Sequence, residues 1–457
     1  MKNSDIYSLA EFCLKLVEKE NSEIKCADIY FEKSNYINIE IEENSIKNNE
    51  IGEDNGVSIR VINKNGALGF AYTNKLDKTT LEKICKNAIK MMKIATPDPD
   101  FKNIPGPFKN YPEVQDLFDK NLKYLQIEDS LNFVNDMIKI CKDDDTAVSQ
   151  SGNFASGYSK IYIFNSNGLN ISKKDTSCLI SSNIILRDKI SNETSSGYER
   201  QIERNLDKLN AINVAQSALE DAKRNLNRKK IKNMKVPVVL TPKGTINLIL
   251  SPLAAAINAD TFQYKRSFLV DKRGEKIGSE FLNIEDNGLI NGAAGSQIFD
   301  DEGVPCKNKI ILKNGEFLKT GLLHNSYTAG KEGVESTGNA ARSSYISIPS
   351  IGITNFIMRP GDTTLEEILK EINTGIILNY TGDSPNISTG DFSGLILHGN
   401  LIKNGQIKES LNETMIGINL LDLFQRIDAV SKEYKVYGAF QAPYVKINSV
   451  NIIGGAN

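Results

Sequence analysis

The chain has 457 residues, beyond the roughly 250–300 at which one hydrophobic core stops growing, so two domains are expected. Its 40% hydrophobic and 25% charged residues are ordinary for a soluble globular protein, and 55 basic against 57 acidic side chains leave a net charge of −2. That balance, with no Lys/Arg block approaching a basic stripe, argues against direct nucleic-acid contact, and with no apolar run of about 18 residues and no secretory segment after Met1 a cytoplasmic chain without a membrane span is expected.

In chain order, "DIYSLAEFCLKLVEKE" sets Leu9, Phe12, Cys13, Leu16 and Val17 on one helical face. "ADIYFEKSNYINIEIEENSIKNNEI" alternates as strands do, and "GVSIRVINKNGALGFAYTN" predicts a hairpin across Asn65-Gly66. The next helix, "TTLEKICKNAIKMMKIA", has Thr79 and Glu82 spaced as a capping box and Ile84, Ala88, Met91 and Ala95 as its apolar face. "TPDPDF" and "IPGPF" then form a Pro-rich loop. A helix from about Gln126 to Lys142 precedes an antiparallel pair turning at Asn167-Gly168, and "NLDKLNAINVAQSALEDAKRNLN" closes the unit as a helix. "NRKKIKNMK" (Asn227–Lys235) reads as a solvated helix end and linker.

From "VPVVLTP" (Val236–Pro242) onward the texture becomes short strands punctuated by Gly, Asn and Asp, with Asn-Gly hairpins in "KIILKNGEFLKTGLL" and "LIKNGQIKES". The expected class is α+β. Residues 1–232 should form a domain of antiparallel hairpins and helices. Residues 233–457 should form a β-rich barrel or sandwich with two helices, one at Leu248 and one at Thr363–Ile372.

Few residues offer chemistry. The six cysteines lie far apart without a CxxC pair, which points to free thiols in a reducing, cytoplasmic setting. The two histidines, His324 and His398, lack a ligand at i+3 or i+4 and read as structural or surface residues. No GxSxG elbow or phosphate loop occurs. In "FDDEGVP", Asp300, Asp301 and Glu302 are either paired acids and oxygen ligands or a solvated turn. "STGNAARSSY" (Ser336–Tyr345), with Thr337, Asn339 and Arg342, either lines a ligand groove or is a mobile loop. "LILSPLAAAINADTFQYKR", from Leu248, holds nothing able to attack, ligate or move a proton.

The order of "VPVVLTP", a short helix, "AD", "GEKIGSE", "FDDEGVP", an Asn-Gly hairpin, "STGNA-R" and a final "GAFQAPYVKINSVNIIGG" resembles the TldD/PmbA family over essentially the full length. The resemblance implies two branches. In the TldD type, the helix after the "VVL" strand bears HExxxH, two histidines ligating a metal and a glutamate activating water, with a further Cys ligand near the C-terminus. Anchored on Ala259-Asp260, those positions here are Leu250, Ser251 and Ala255, and Ser431–Pro443 contains no cysteine.

The chain is therefore similar to the PmbA, or TldE, branch: no catalytic residue, metal or cofactor of its own, with the Ala254–Ala256 run packing the helix closely. The implied partner is a TldD-type chain holding zinc, and the implied substrates are unfolded or small peptides. Asp301, Glu302, Thr337, Asn339 and Arg342 are the peptide-groove candidates. A homodimeric peptide-binding or regulatory protein, of gyrase-modulator type, is the alternative. An autonomous hydrolase using Asp300, Asp301 or Glu302 is a third reading.

Overall fold

The computed structural model describes residues 3–20 and 22–456. Six strands form an antiparallel sheet: β1 (Ile24–Glu42), β2 (Ser45–Asn63), β3 (Leu68–Thr73), β4 (Ala147–Asn165), β5 (Asn170–Arg187) and β6 (Thr194–Glu203). Their spatial order is β3-β2-β1-β4-β5-β6. Successive strand side chains point to opposite faces. The odd positions Ala27, Ile29, Phe31, Ile37, Ile39 and Ile41 of β1 are all buried, and Val57, Ile59 and Val61 extend that face onto β2. Helices Asn3–Glu20 and Lys78–Ile94 cover one end of it, while Ile127–Lys142 and Ala211–Arg224 cover the other. The opposite face presents Asp28, Tyr30 and Arg60, and these meet the second half of the chain.

That second half closes on itself. Phe440–Ile453 pairs with Met234–Leu240, which pairs with Thr374–Thr381, which pairs with Asp391–Lys403. Asp391–Lys403 pairs with Met415–Asn419, and that strand returns to Phe440–Ile453. The circuit is a five-stranded barrel, which leaves no open edge around its girdle. Val238, Leu240, Ile376, Leu378, Val445 and Ile447 join Leu248, Ile249, Leu250 and Leu253 in one buried cluster. The expected mixed fold and β-rich second half are both present. No helix among the described residues is long and apolar enough to cross a membrane.

The Asn-Gly turns are where the sequence puts them, with positive φ at Gly66, Gly168, Gly315 and Gly405. Gly66 is held for a further reason. A Cβ there would lie 1.9 Å from the Asp98 carbonyl oxygen, so the hairpin tip rests directly on the Pro-rich loop.

Other expectations need correction. The second helix is capped by Asp77, whose side chain accepts from the Thr80 N–H, and it runs Lys78–Ile94 rather than starting from a Thr79–Glu82 box. Its buried face includes Leu81, Cys85, Ile89 and Met92, whereas Met91 is 52% exposed. A true capping box occurs at Thr364 and Glu367. The helix closing the first half begins only at Ala211, behind its Asn210 cap. Lys229–Lys230 is a two-residue strand pairing Leu411 and Asn412 rather than a linker. Short helices Ala259–Gln263, Ser326–Glu332 and Leu420–Gln425 join the two expected in the second half. They are too short to show a helical period, and their Asn caps read as turn residues.

The helix expected at Leu248 is part of a longer run starting at Pro242, with α-helical ends around a π-helical turn at Ile246–Leu250. Pro252 cannot donate the backbone hydrogen bond that an α-turn needs there, and a wider turn accommodates the lost donor. Leu250 is fully buried, whereas Ser251 and Ala255 are exposed. Only Ala256 of the alanine run is fully buried, so the close packing expected of Ala254–Ala256 rests on one residue. Leu250→Ala should therefore cost about 2–5 kcal/mol in urea unfolding, as for other buried leucines. Ala255→Ser should stay within about 0.5 kcal/mol.

Candidate functional site

The two halves meet around a buried set of charges. Asp28, on the outward face of β1, accepts from Arg60 Nε at 2.5 Å and from Arg342 Nη2 at 3.2 Å. Arg60 Nη2 continues to Glu302 Oε1 at 3.1 Å, and Glu302 Oε2 accepts from the Ser326 N–H at 2.8 Å. Asp301 pairs with Lys173 of β5 at 3.1 Å and accepts from the Arg342 N–H at 2.8 Å. The Arg342 guanidinium lies over the Tyr30 ring, 4.8 Å from its centroid, and donates to the Ser347 carbonyl at 2.7 Å. Both carboxylates of the "DE" pair in "FDDEGVP" are thus bound across the boundary between the halves.

Asp300 sits deeper. Its carboxylate accepts from the N–H groups of Glu302, Val304 and Ala340, each at 2.9 Å, which fixes the turn and ties it to the loop beyond. Burial, and then the neighbouring Glu302 charge, push its pKa up to about 7. "FDDEGVP" is a turn, with Gly303 at φ +85°, but its charges are not solvated. Glu302 is paired with Arg60 and Asp301 with Lys173, both more than a hundred residues away in sequence.

"STGNAARSSY" is equally built in. Thr337 Oγ1 donates to Asn339 Oδ1 at 2.8 Å, and Asn339 Nδ2 donates to Asp286 Oδ2 at 2.8 Å. Lys309 reaches both Asn339 and Asp286, at 3.0 and 2.8 Å. Within that loop Thr337 and Asn339 are buried, and the Arg342 side chain is 1% exposed.

An open cleft of about 500 Å³ does lie between the halves, close to this network. One wall is Arg60, Gly66, Leu68, Asp98 and Phe101, and the other is Asn258, Asp260, Glu302, Ser326 and Ile348–Ile351. Of the five groove candidates only Glu302 lines it. Thr337 borders a separate hollow with His324, and Asp301, Asn339 and Arg342 border neither. The wall residues Asp98, Asp260 and Ser326 were not singled out from sequence, nor were Asp28, Arg60 and Lys173 in the seam. The available signal was a charge at the outward position of an otherwise apolar strand, as in "CADIYF" and "SIRVI".

The remaining chemical candidates are quiet. All six cysteines are unpaired and buried, and burial raises the Cys26 thiol to about 11 and that of Cys306 to about 12. Neither is a nucleophile at neutral pH. His324 is buried with Nδ1 3.2 Å from Thr328 Oγ1, and burial lowers its pKa. His398 Nδ1 lies 3.7 Å from Asp221. Among the described residues no three His, Cys, Asp or Glu side chains converge where they could hold a metal ion. Leu250, Ser251 and Ala255 do not share a face, since the first enters the core and the other two meet solvent.

Models of the PmbA/TldA metallopeptidases match the chain in three segments: domain 1 at residues 27–92, the central domain at 120–226 and the C-terminal domain at 233–454. A metalloprotease of Methanocaldococcus jannaschii is 30% identical over 412 residues, 89% of each chain. Buchnera aphidicola supplies relatives under both names. Its metalloprotease PmbA homologue is 26% identical over 96% of this chain and 95% of its own, and its metalloprotease TldD homologue is 25% identical over 95% and 90%. The crystal structure of TldE from Thermococcus kodakarensis has the same fold, with a TM-score of 0.86 at 24% identity, covering 98% of this chain and all of that one.

The seam predicts a structural role for Arg342. Arg342→Ala leaves Asp28 short of a partner and should cost about 3–5 kcal/mol in urea unfolding, as breaking other buried ion pairs does. A variant of unchanged stability would show instead that the guanidinium is free to serve a ligand.

Proposed function

The chain belongs to the PmbA/TldD metallopeptidase family, and from that premise we propose that it is the chain of a two-chain peptidase that does not hold the metal. The observation behind this reading is a single helix. Where the TldD type has HExxxH, this chain has Leu250, Ser251 and Ala255 on the anchor of Ala259-Asp260, and no carboxylate, imidazole or thiolate takes their place. Zinc needs three or four such ligands and a position for water. Leu250 in particular is part of the core, so the helix is used here for packing. The partner would be a TldD-type chain holding zinc, which supplies the activated water. The occurrence of both kinds of relative in Buchnera aphidicola supports a pairing of two kinds of chain.

Unfolded or small peptides are the substrates most consistent with this reading. A cleft of about 500 Å³ with mixed apolar and polar walls accommodates a few residues of extended chain, not a folded protein.

Purified alone, the chain should contain no stoichiometric zinc by elemental analysis and should cleave no peptide. Co-expressed with the HExxxH homologue of its own genome, it should co-purify with that chain and give a chelator-sensitive peptidase. Chelator-sensitive cleavage by this chain alone would overturn the proposal, as would failure of the two to associate at micromolar concentration.

A further inference from the structure

We infer that the hollow around His324 binds an aromatic ring bearing one neutral hydrogen-bond donor, the chemistry of a tyrosine or tryptophan side chain. That the ring belongs to a peptide rests on the function proposed above, whereas the ring and its donor rest on the hollow alone.

The hollow measures about 580 Å³ and lies in the second half of the chain, between the strand Asn308–Lys313 and the helix Ser326–Glu332. Its apolar walls are Ile310, Leu318, Leu322 and Val334. Among its polar residues is His324, only 4% exposed, whose ring lines the hollow. The neighbouring hydrogen bonds fix the tautomer of that ring. Thr328 Oγ1 donates to Asn325 Oδ1 at 3.1 Å, which leaves its oxygen to accept from His324 Nδ1 at 3.2 Å. Burial lowers the pKa of the imidazole, so at neutral pH it carries that one proton and Nε2 keeps its lone pair.

Among the described residues no hydrogen bond reaches His324 Nε2. Glu332 Oε2 lies 3.9 Å away, too far for a hydrogen bond, and is itself an acceptor. Glu332 is in any case held by Arg273 and, at 3.4 Å, by Gln263. An acceptor buried this deeply without a donor is destabilising, and a donor on a ligand relieves it.

The walls select the kind of donor. Arg273, Lys307, Lys309 and Lys319 line the hollow against Glu332 and Glu335. A cationic donor meets that excess of positive charge, while an anion presents lone pairs to Nε2 and to Glu332. A neutral O–H or N–H meets neither obstacle. Arg273 is paired with Glu332 and Lys309 with Asp286, whereas Lys307 and Lys319 are exposed and have no ion pair among the described residues. Cations of that kind rest on aromatic faces, which favours a ring over an aliphatic alcohol.

A trough bordered by residues 102–105 and 304–307 separates the hollow from the cleft. It shares Asn103 and Ser326 with the cleft, and Lys307, Val334 and Glu335 with the hollow. The hollow is thus beside the path of a peptide that lies in the cleft.

The test uses the full chain without a partner, its histidines isotope-labelled, and small rings as probes. p-Cresol carries a donor, and its methyl ether is the same ring with the donor removed. Both should bind in the millimolar range of molecules this small, p-cresol about tenfold more tightly. p-Cresol should also shift the Nε2 resonance of His324, assigned by its persistence in His398→Asn, whereas the ether should not. Skatole against N-methylskatole repeats the comparison for an N–H donor, and the same preference there would identify tryptophan as a second source of the ring. His324→Phe should abolish the preference. Val334→Trp, at an exposed rim position, leaves the imidazole in place and should weaken binding of p-cresol and its ether alike. Equal affinity for p-cresol and its ether would overturn the inference, as would a His324 resonance that p-cresol leaves unmoved. None of these readouts involves a metal or a partner chain, so this inference and the proposed function can fail separately.

Discussion

The Asp28 carboxylate is the constraint on which the arrangement of the two halves depends. A buried carboxylate without cations is costly enough that it would protonate or leave the interior. Asp28 sits on the outward face of β1 and is satisfied from two directions, by Arg60 of the neighbouring strand and by Arg342 of the second half. Arg60 in turn requires Glu302, and the loop bearing Arg342 is held by Asp301. Each charge on one half is therefore completed by a group on the other. An apolar boundary of the same size would tolerate sliding, whereas this one specifies a single register. The cleft inherits its geometry from that register, since Arg60 and Glu302 belong to the ion-pair set and the cleft wall at once.

Local patterns in the sequence were informative where the physics is local. Asn-Gly steps between β-rich runs marked turns because few residues other than Gly take positive φ without strain, and helical periodicity found the helices of the first half. Misreadings arose where a distant residue decides the outcome. Met91 and Met92 are equally apolar, and only the position of the helix over the sheet makes Met92 the buried one. "FDDEGVP" looks like a solvated acidic turn until Arg60 and Lys173 arrive from more than a hundred residues earlier. Asp28 and Arg60 were visible as charges among apolar strand residues, but nothing local says which of them will pair. The loop with Thr337 and Asn339 carried a similar ambiguity, because small polar residues serve a buried hydrogen-bond knot as well as a ligand surface.

The helical run Pro242–Ala256 shows how a local turn sets what a helix packs. Its π-turn, Ile246–Leu250, ends at the buried Leu250 and precedes the exposed Ser251 and Ala255. The extra residue in such a turn rotates the remainder of the helix, and here Leu250 enters the core while Ser251 and Ala255 face outward. Pro252 follows closely on that turn, where the α-helical ladder is already interrupted and its missing N–H is tolerated.

The barrel's closing strand has a consequence for the life of the chain. Phe440–Ile453 pairs with Met234–Leu240 on one side and Met415–Asn419 on the other, and it also supports Phe356–Met358 and Ile427–Tyr437. Until that strand has emerged from the ribosome, the strand at 234–240 has an open edge and the cluster around Leu248 has no lid. For about two hundred residues of synthesis, at roughly 5–20 residues per second, the apolar helix at 242–256 is without its wall, a window of tens of seconds. The first sheet, complete by Glu203, can fold in that time, but its charged outer face waits for Glu302 and Arg342. A chain that stops short of Phe440 therefore leaves the 234–240 edge and the cluster around Leu248 open, and such an unpaired edge is an aggregation hazard.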